Sequence, residues 1–573
     1  MADSIASDAT ARPYRSKKQR PWVPPRAIAV AVEEWVASWS HTRETAPFAG
    51  TGAHRAPEAS LMPLSPASPT TPHTAAAPDS HRTTVMPGRT VLYTGNSSDQ
   101  DVYLLRHLPF DDTNSFGHSN WRVWKIFADE AAPAYFTSYP NTLLDVCTDI
   151  YNLDEVNAMV GPYHSHLLDL YYAYAHPSMP VLEERPCFEA CISARSIPAS
   201  LLAAVYNLGV SFWHLSPLLS GLHPIPREPL YHFVFHHITL EARTPSLRTV
   251  QAMLLHMQCP PFLVREPNHP GFWALTGQLV AIAQDMGLHV DPTAWTTISP
   301  AERKTRRVLW WAVYMHDKWL AHWLGRPSHI DDRHFSVAPL TVDDFVSGAH
   351  PLPAYLSHSI AAFVTLSNLT TVLSSVLDSF YTISQNPCSM TPEEALSRAS
   401  QCQAKLNESL PHQGSTPLRP SRVINDYALV FAHYGIAVSI QRALFACVGG
   451  TLYYDIQRET HLFRNLFDVL EDLLQQDLQG LWLSYCKSNI AMIGSFIITA
   501  LLSSTDDAVY QTRHASLYGF RSLLYRLAER FEFAALPLLR LNLLLERFAD
   551  NAAEPGIEGP GCDGESGEDI LSS

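Results

Sequence analysis

Ser299 to Pro327 reads SPAERKTRRVLWWAVYMHDKWLAHWLGRP, and the fold class follows from this run. Both ends of a helix are written into it. Ser299 can cap, Pro300 sits where a missing N–H costs nothing, and Glu302 stands three residues after the cap, as in a capping box. Gly325 can take a left-handed turn, and Pro327 forbids continuation. At 100° per residue, Val308, Trp311, Ala312, Met315, Trp319 and Trp323 form one stripe, and Leu309, Val313, Leu320 and Leu324 an adjoining one. Only a narrow strip around Arg303, Arg307, Tyr314 and Lys318 is left for water. Such a helix must be packed on two or more sides, which puts it at the centre of a large helical core. Asp317 contradicts these surroundings. It falls beside Trp310, Val313 and Leu324, and neither Val313 at i−4 nor Leu320 at i+3 can answer it, so its partner must be tertiary. Arg326 is the nearest candidate in sequence; the alternative leaves Arg326 in solvent or on Asp331.

The 573 residues are 46% hydrophobic and 17% charged, with a mean hydropathy of −0.05. That describes a large globular body with polar appendages. A net charge of −15 repels nucleic acid over the molecule as a whole, so any DNA contact must be local. The nine cysteines are scattered, odd in number and mostly within apolar helical stretches, the pattern of a reducing compartment. The first 20 residues carry no apolar secretory run. The longest apolar run, Ile490 to Leu502, is broken by Gly494, Ser495 and Thr499 and reads as a buried helix too short to span a bilayer.

Along the chain, residues 1–90 are rich in Ala, Pro, Ser, Thr and His and are expected to be disordered. Within them RPYRSKKQR (12–20) sets Arg12, Arg15, Lys17, Lys18 and Arg20 together, a nuclear-import signal or phosphate-contacting arm, or else an ordinary solvated basic patch. AIAVAVEEWVASW (27–39) has the pattern of a short amphipathic helix. Residues 91–160 are an aromatic-rich lead-in. A helical succession follows over 161–345: LLDLYYAYAH stops at Pro177, LLAAVYNLG at Gly209, VQAMLLHMQ before Pro260, and LTGQLVAIAQDM at Gly287. Residues 346–550 continue the same body, with helices over about 391–406, 423–448, 461–475, 486–503, 512–531 and 534–548. Residues 551–573 form an acidic tail in which Ile570 and Leu571 could serve a small activation motif, or simply aid solubility. No fixed period repeats, so the expected fold is an all-α, irregular multi-helix array.

The chemistry-bearing patterns are sparse. There is no Walker loop, GxGxxG, GxSxG, HExxH or kinase set, so no residue carries an enzyme reading. Asp111–Asp112 (DDTNS) and Asp331–Asp332 (DDRHF) do not match the DDxxD of magnesium–diphosphate sites and read as turns or caps. His164, His166, His236, His237 and the pair Cys187/Cys191 never assemble four ligands at metal spacing. No catalytic, cofactor or metal residue is assigned.

The run RRVLWWAVYMHDKWLAHWLGRP and the SHIDDRHFSVAPL that follows it resemble the middle homology region of fungal zinc binuclear cluster transcription factors, the fungal-specific transcription factor domain. The matching residues are Arg307, Trp310, Trp311, Asp317, Gly325, Arg326, Pro327, Asp331 and Asp332, read as a structural signature. The resemblance extends upstream through 167–182, 198–209, 245–258 and 272–292, covering roughly 160–345 with a weaker echo to about 445. The stretch between Thr94 and Ile150 resembles the segment before this region in a nitrogen-regulatory subgroup. The resemblance implies a nuclear regulator of RNA polymerase II transcription, with a helical domain that serves regulation or partner binding. It implies as partners DNA, directly or through another factor, and co-regulators; it is compatible with homo- or heterodimers and a small-molecule effector, and no membrane is implied. The family's DNA-reading module binds two zinc ions through six cysteines in two CxxCxxxxxxC half-motifs, and that pattern does not occur in these 573 residues. DNA binding by this chain itself is therefore put in question. The alternatives are a co-regulator acting through a DNA-binding partner and an all-α metabolite-binding protein whose aromatic core forms a cavity.

Overall fold

The computed structural model describes residues 88–118, 120–126, 133–144, 149–259, 271–346, 354–383, 390–409, 423–448 and 454–553. The basic run at 12–20, the segment 27–39 and the acidic tail lie outside the described residues.

Helices make up most of the described chain, in the order α1 Asp154–Val160, α2 His164–Leu170, α3 Arg185–Ser193, α4 Ala199–Ser211, α5 Arg227–Glu241, α6 Leu247–Gln258, α7 Phe272–Asp285 and α8 Pro300–Leu324. After these come α9 Ala354–Phe380, α10 Pro392–Glu408, α11 Ile424–Val448, α12 Ile456–Leu474, α13 Tyr485–Leu502, α14 Asp507–Ala528 and α15 Ala535–Ala553. One continuous apolar core runs from Leu153 to Leu541. The start and stop signals act largely as written. Ser299 Oγ accepts from the Glu302 N–H, Gly325 takes φ 63° and ψ 40°, and Thr391 Oγ1 accepts from the Glu394 N–H. Glu302 and Glu394 themselves turn forward to Arg306 and Arg398 at i+4.

Two expectations need correction. Gly209 does not stop its helix, because α4 runs on to Ser211. Its role is close packing: a Cβ there would sit 2.5 Å from the Leu167 carbonyl oxygen, so only glycine lets α4 lie this near α2. The strip of α8 expected to face water is covered. Every residue from Arg306 to Ala321 is buried, and of the four strip residues only Arg303 keeps partial exposure.

The aromatic lead-in folds as a sheet, an addition to the helical body. β1 Arg89–Thr94, β2 Ser115–His118, β3 Trp121–Ile126 and β4 Ala134–Pro140 are antiparallel in the order β1-β4-β3-β2. Period-two alternation gives it two apolar faces. Val91, Trp124, Ile126 and Phe136 pack on Trp295 and Ile298, while Val123 and Tyr135 pack on Val102 and Leu105. Gly287, at φ 68°, lets the chain after α7 approach within 3.0 Å of Tyr93 Cβ as measured from an added Cβ. The Arg306 guanidinium of α8 lies over the Phe136 and Trp295 rings, tying the sheet to the central helix.

Among the described residues, three helical stretches, Leu356–Phe380, Ile424–Val448 and Tyr485–Leu502, are by length and composition apolar enough to cross a membrane. Of their most apolar windows, 61%, 78% and 72% is buried inside the protein. The third is the helix expected over about 486–503; at 18 residues it is longer than the apolar run 490–502 that reads as too short to span, and it is mostly buried as expected.

Replacing Gly209 by Ala is expected to lower stability by about 1–3 kcal/mol through overpacking against Leu167. Gly519→Ala on the exposed face of α14, where an added Cβ meets nothing within 4 Å, should instead raise it by up to about 1 kcal/mol through helix propensity. Urea midpoints of the two variants check the pair.

Candidate functional site: the signature turn and the cavity beside it

Arg307, Trp311, Tyr314 and Lys318 lie at i, i+4, i+7 and i+11, on one stripe of α8, and each finds a partner in the chain that folds back after Gly325. Arg307 Nε and Nη2 donate to both carboxylate oxygens of Asp344 at 2.7 and 3.2 Å, and Nη2 also reaches the Pro339 carbonyl at 2.9 Å. Its Nη1 donates to Asp291 at 3.3 Å. Trp311 Nε1 donates to the Ala338 carbonyl at 2.9 Å. Tyr314 donates its hydroxyl to Asp332 at 3.1 Å, and Lys318 Nζ lies 3.0 Å from the other Asp332 oxygen while donating to the Ile330 carbonyl. Ser374 on α9 also donates to Asp332.

Asp317, wholly buried, lies off this stripe, on the apolar side of the helix. Its partner is tertiary, but it is not Arg326. The carboxylate accepts from Ser328 Oγ at 2.6 Å, from His329 Nδ1 at 2.9 Å, and from the backbone N–H groups of Ile330 and His329 at 3.0 and 3.1 Å. Burial pushes its pKa up, yet the hydrogen bonds from His329, Ser328 and the two N–H groups outweigh burial and hold it below the usual carboxylate range. Arg326, placed by Gly325 on the outside of the turn, lies with its guanidinium 5.7 Å from the Trp273 ring centroid. Trp273 stacks on His329 at 4.0 Å. Asp331 caps the short turn at Asp332–His334 and pairs with exposed Arg333. Trp310 is fully enclosed beside His289 and Phe335. The signature thus works as a clamp that fastens the 328–344 strap onto the central helix. Asp111 closes a turn, accepting from the N–H groups of Thr113 and Ser115. Among the described residues, no group of three or more His, Cys, Asp or Glu is placed to hold a metal ion.

Beside the last turns of α8 lies a partly open cavity of about 220 Å³. The ends of α4 and α6, the start of α7, the 478–484 segment, Lys487 on α13 and the 530–536 segment wall it. One side is held by a hydrogen-bond chain. Thr276 donates its hydroxyl proton to the Phe272 carbonyl at 2.8 Å, which leaves its oxygen to accept from His316 Nε2 at 3.2 Å. His316 Nδ1 then accepts from Gln258 Nε2 at 3.4 Å, and Gln258 Oε1 accepts from the Ser484 N–H. Burial pulls the His316 pKa down to about 4, so the ring is neutral. The sequence reading passed over this cavity. Its one sequence signal is Lys487, the single charged residue in YCKSNIAMIGSFIITALL.

The clamp fastens the strap to the central helix, and comparison with known proteins shows what the chain is similar to. Residues 168–410 match the model of the fungal specific transcription factor domain. The transcriptional activator protein DAL81 of Saccharomyces cerevisiae is 25% identical over 467 residues, 73% of this chain and 47% of that protein. An uncharacterized transcriptional regulatory protein of Schizosaccharomyces pombe is 25% identical over 299 residues, 50% of this chain and 44% of its own. Transcription factor cpaR of Aspergillus oryzae is 27% identical over 298 residues, 45% of this chain and 46% of its own. The chain spans a little under half the length of these relatives. No solved structure matches.

Asp317→Ala strands two backbone and two side-chain donors, each costing about 1–3 kcal/mol where water cannot reach, so a loss of about 3 kcal/mol or more is expected. Combined with Ser328→Ala the effects should be less than additive, and combined with Arg326→Ala additive within about 0.5 kcal/mol. Thermal or urea melts of the singles and doubles measure both couplings. Because the folded pKa of Asp317 is depressed, its contribution is full above the unfolded value of about 4 and is lost as pH falls through the folded pKa. Asp317→Asn should therefore flatten the acid limb of the stability profile.

Proposed function

We propose that this chain is a nuclear regulator of RNA polymerase II transcription whose helical body acts through contacts with other proteins. The observation that carries the reading is the domain match over 168–410, which includes the clamped helix α8 and its strap. DNA would be reached through the family's zinc-cluster role or through a DNA-binding partner; these 573 residues, with a net charge of −15 and no pair of CxxCxxxxxxC half-motifs, supply no zinc-cluster contact themselves. Dimerisation, with itself or a related chain, fits the same class. The reading also assigns the basic run at 12–20 to nuclear import.

Fusing the chain to a heterologous DNA-binding domain should change transcription of a reporter carrying that domain's site, in either direction. An inert fusion that is folded and nuclear would sink the reading. In fluorescence anisotropy at physiological salt, the purified chain is expected to show no sequence-selective binding to duplex DNA; selective nanomolar binding would move it into the class that reads DNA directly. Changing Arg15, Lys17, Lys18 and Arg20 to Ala should reduce nuclear accumulation of a tagged chain, and unchanged imaging would remove the run from the account.

A further inference from the structure

The cavity beside α8 holds a cation, Lys487, and one lining carboxylate, Glu532, which is exposed and makes no ion pair with it among the described residues. Lys487 is largely buried at the start of an otherwise uncharged helix. Among the described residues its ammonium makes no hydrogen bond or ion pair; it rests 5.2 Å from the centroid of the Trp323 ring. Burial lowers its pKa, with the charge of Glu532 acting the other way. An ammonium taken out of water is tolerated when it is paired, and an aromatic face is a weak substitute for an anion. The other interior groups do not supply one. His316 is neutral and committed on both ring nitrogens to Thr276 and Gln258. Cys259 is also on the wall, and burial pushes its thiol up to about 12, so it too is neutral. Arg530, exposed at the mouth, already donates to the Leu474 and Gln476 carbonyls.

The remaining wall is apolar and aromatic. Phe272, Leu320, Trp323, Trp482, Phe531 and Phe533 surround the space, and Trp482 and Phe533 pack with ring centroids 4.5 Å apart. The hydrogen-bond chain through Gln258 and His316 fixes the opposite side, so the space is preformed and needs little reordering on occupation. At about 220 Å³ it falls below the roughly 300–1,000 Å³ of cavities that take drug-sized molecules, which points to a metabolite-sized occupant. With Lys487 and Arg530 on the wall against the single carboxylate of Glu532, the lining keeps one positive charge in excess; that calls for one negative charge, and the aromatic wall calls for an apolar body attached to it.

We propose that this cavity binds a small organic monoanion, an aromatic or branched-chain monocarboxylate, with its carboxylate on Lys487 and its apolar body against Trp323, Phe531 and Phe533. The assignment goes beyond the transcriptional reading and does not depend on it, because binding is measured on the purified chain without DNA, partner or reporter.

The test titrates the full chain at pH 7 with phenylacetate, 4-methylpentanoate and the uncharged phenylacetamide, following heat and the fluorescence of Trp323 and Trp482. The carboxylates are expected to bind with Kd below about 1 mM and the amide at least about tenfold more weakly. Lys487→Met keeps most of the apolar stem and removes the charge. It should weaken the carboxylates by about tenfold or more while leaving the amide unchanged. Equal binding of acid and amide to the native chain would overturn the proposal without recourse to any variant. So would carboxylate binding indifferent to Lys487→Met, or no response to either acid at about 10 mM, far above the expected Kd.

Discussion

A helix buried on every side can carry polar side chains only if the protein itself supplies their partners, and the body is built around meeting that condition for α8. Removing Arg307, Tyr314, Asp317 and Lys318 from water would cost more than the apolar stripe returns unless each were hydrogen-bonded. The chain solves this locally. Gly325 reverses direction at the end of the helix, and residues 328–344 run back along it, answering the polar stripe with carboxylates, carbonyls and N–H groups. The clamp then shapes what surrounds it: His329 stacks under Trp273 of α7, Asp332 reaches Ser374 of α9, and Arg306 reaches the sheet. A second clamp of the same kind holds the C-terminal helices, where Arg513 of α14 forks onto Glu459 of α12 at 2.8 and 2.9 Å and Tyr454 donates to the same carboxylate.

Helix positions were legible because their causes are local. Caps, left-handed glycines and prolines act within one turn, and α8 and α10 begin and end within a residue or two of where those signals stand, while α11 and α13 fall within a residue of the apolar stretches that mark them. What was not legible depends on who the neighbour is. Hydropathy periodicity separates groups that need hydrogen bonds from groups that do not, but it treats water and a buried carboxylate as the same partner. The stripe at Arg307, Tyr314 and Lys318 was therefore assigned to solvent. Gly209 failed for a related reason: its signal is identical to a helix stop, and only the nearness of Leu167 shows that it permits contact. The sheet was missed because RTVLYT, WRVWKI and AYFTSYP are short, separated and rich in aromatics that suit a buried helix equally well. For Asp317 the sequence carried the necessity of a tertiary partner but not its identity, since Arg326 and the Ser328–Ile330 backbone lie equally close along the chain.

The cavity lies where the family-matched part of the chain meets the rest. The walls contributed by α4, α6, α7 and α8 fall within residues 168–410, whereas those from Leu478 to Leu536 come after that match. The shared part supplies a rigid side fixed by Gln258, His316 and Thr276, and the later part supplies Lys487, Trp482, Phe531 and Phe533. Charge and shape in the cavity are thus set mostly by residues outside the matched domain, so proteins that share the clamp need not share an occupant. An occupant touching both sides would also join α8 to α13 and to the 530–536 segment that leads into α15. A group that pairs Lys487 removes an unpaired buried charge from the seam between the two parts, and its binding energy is felt as cohesion across that seam.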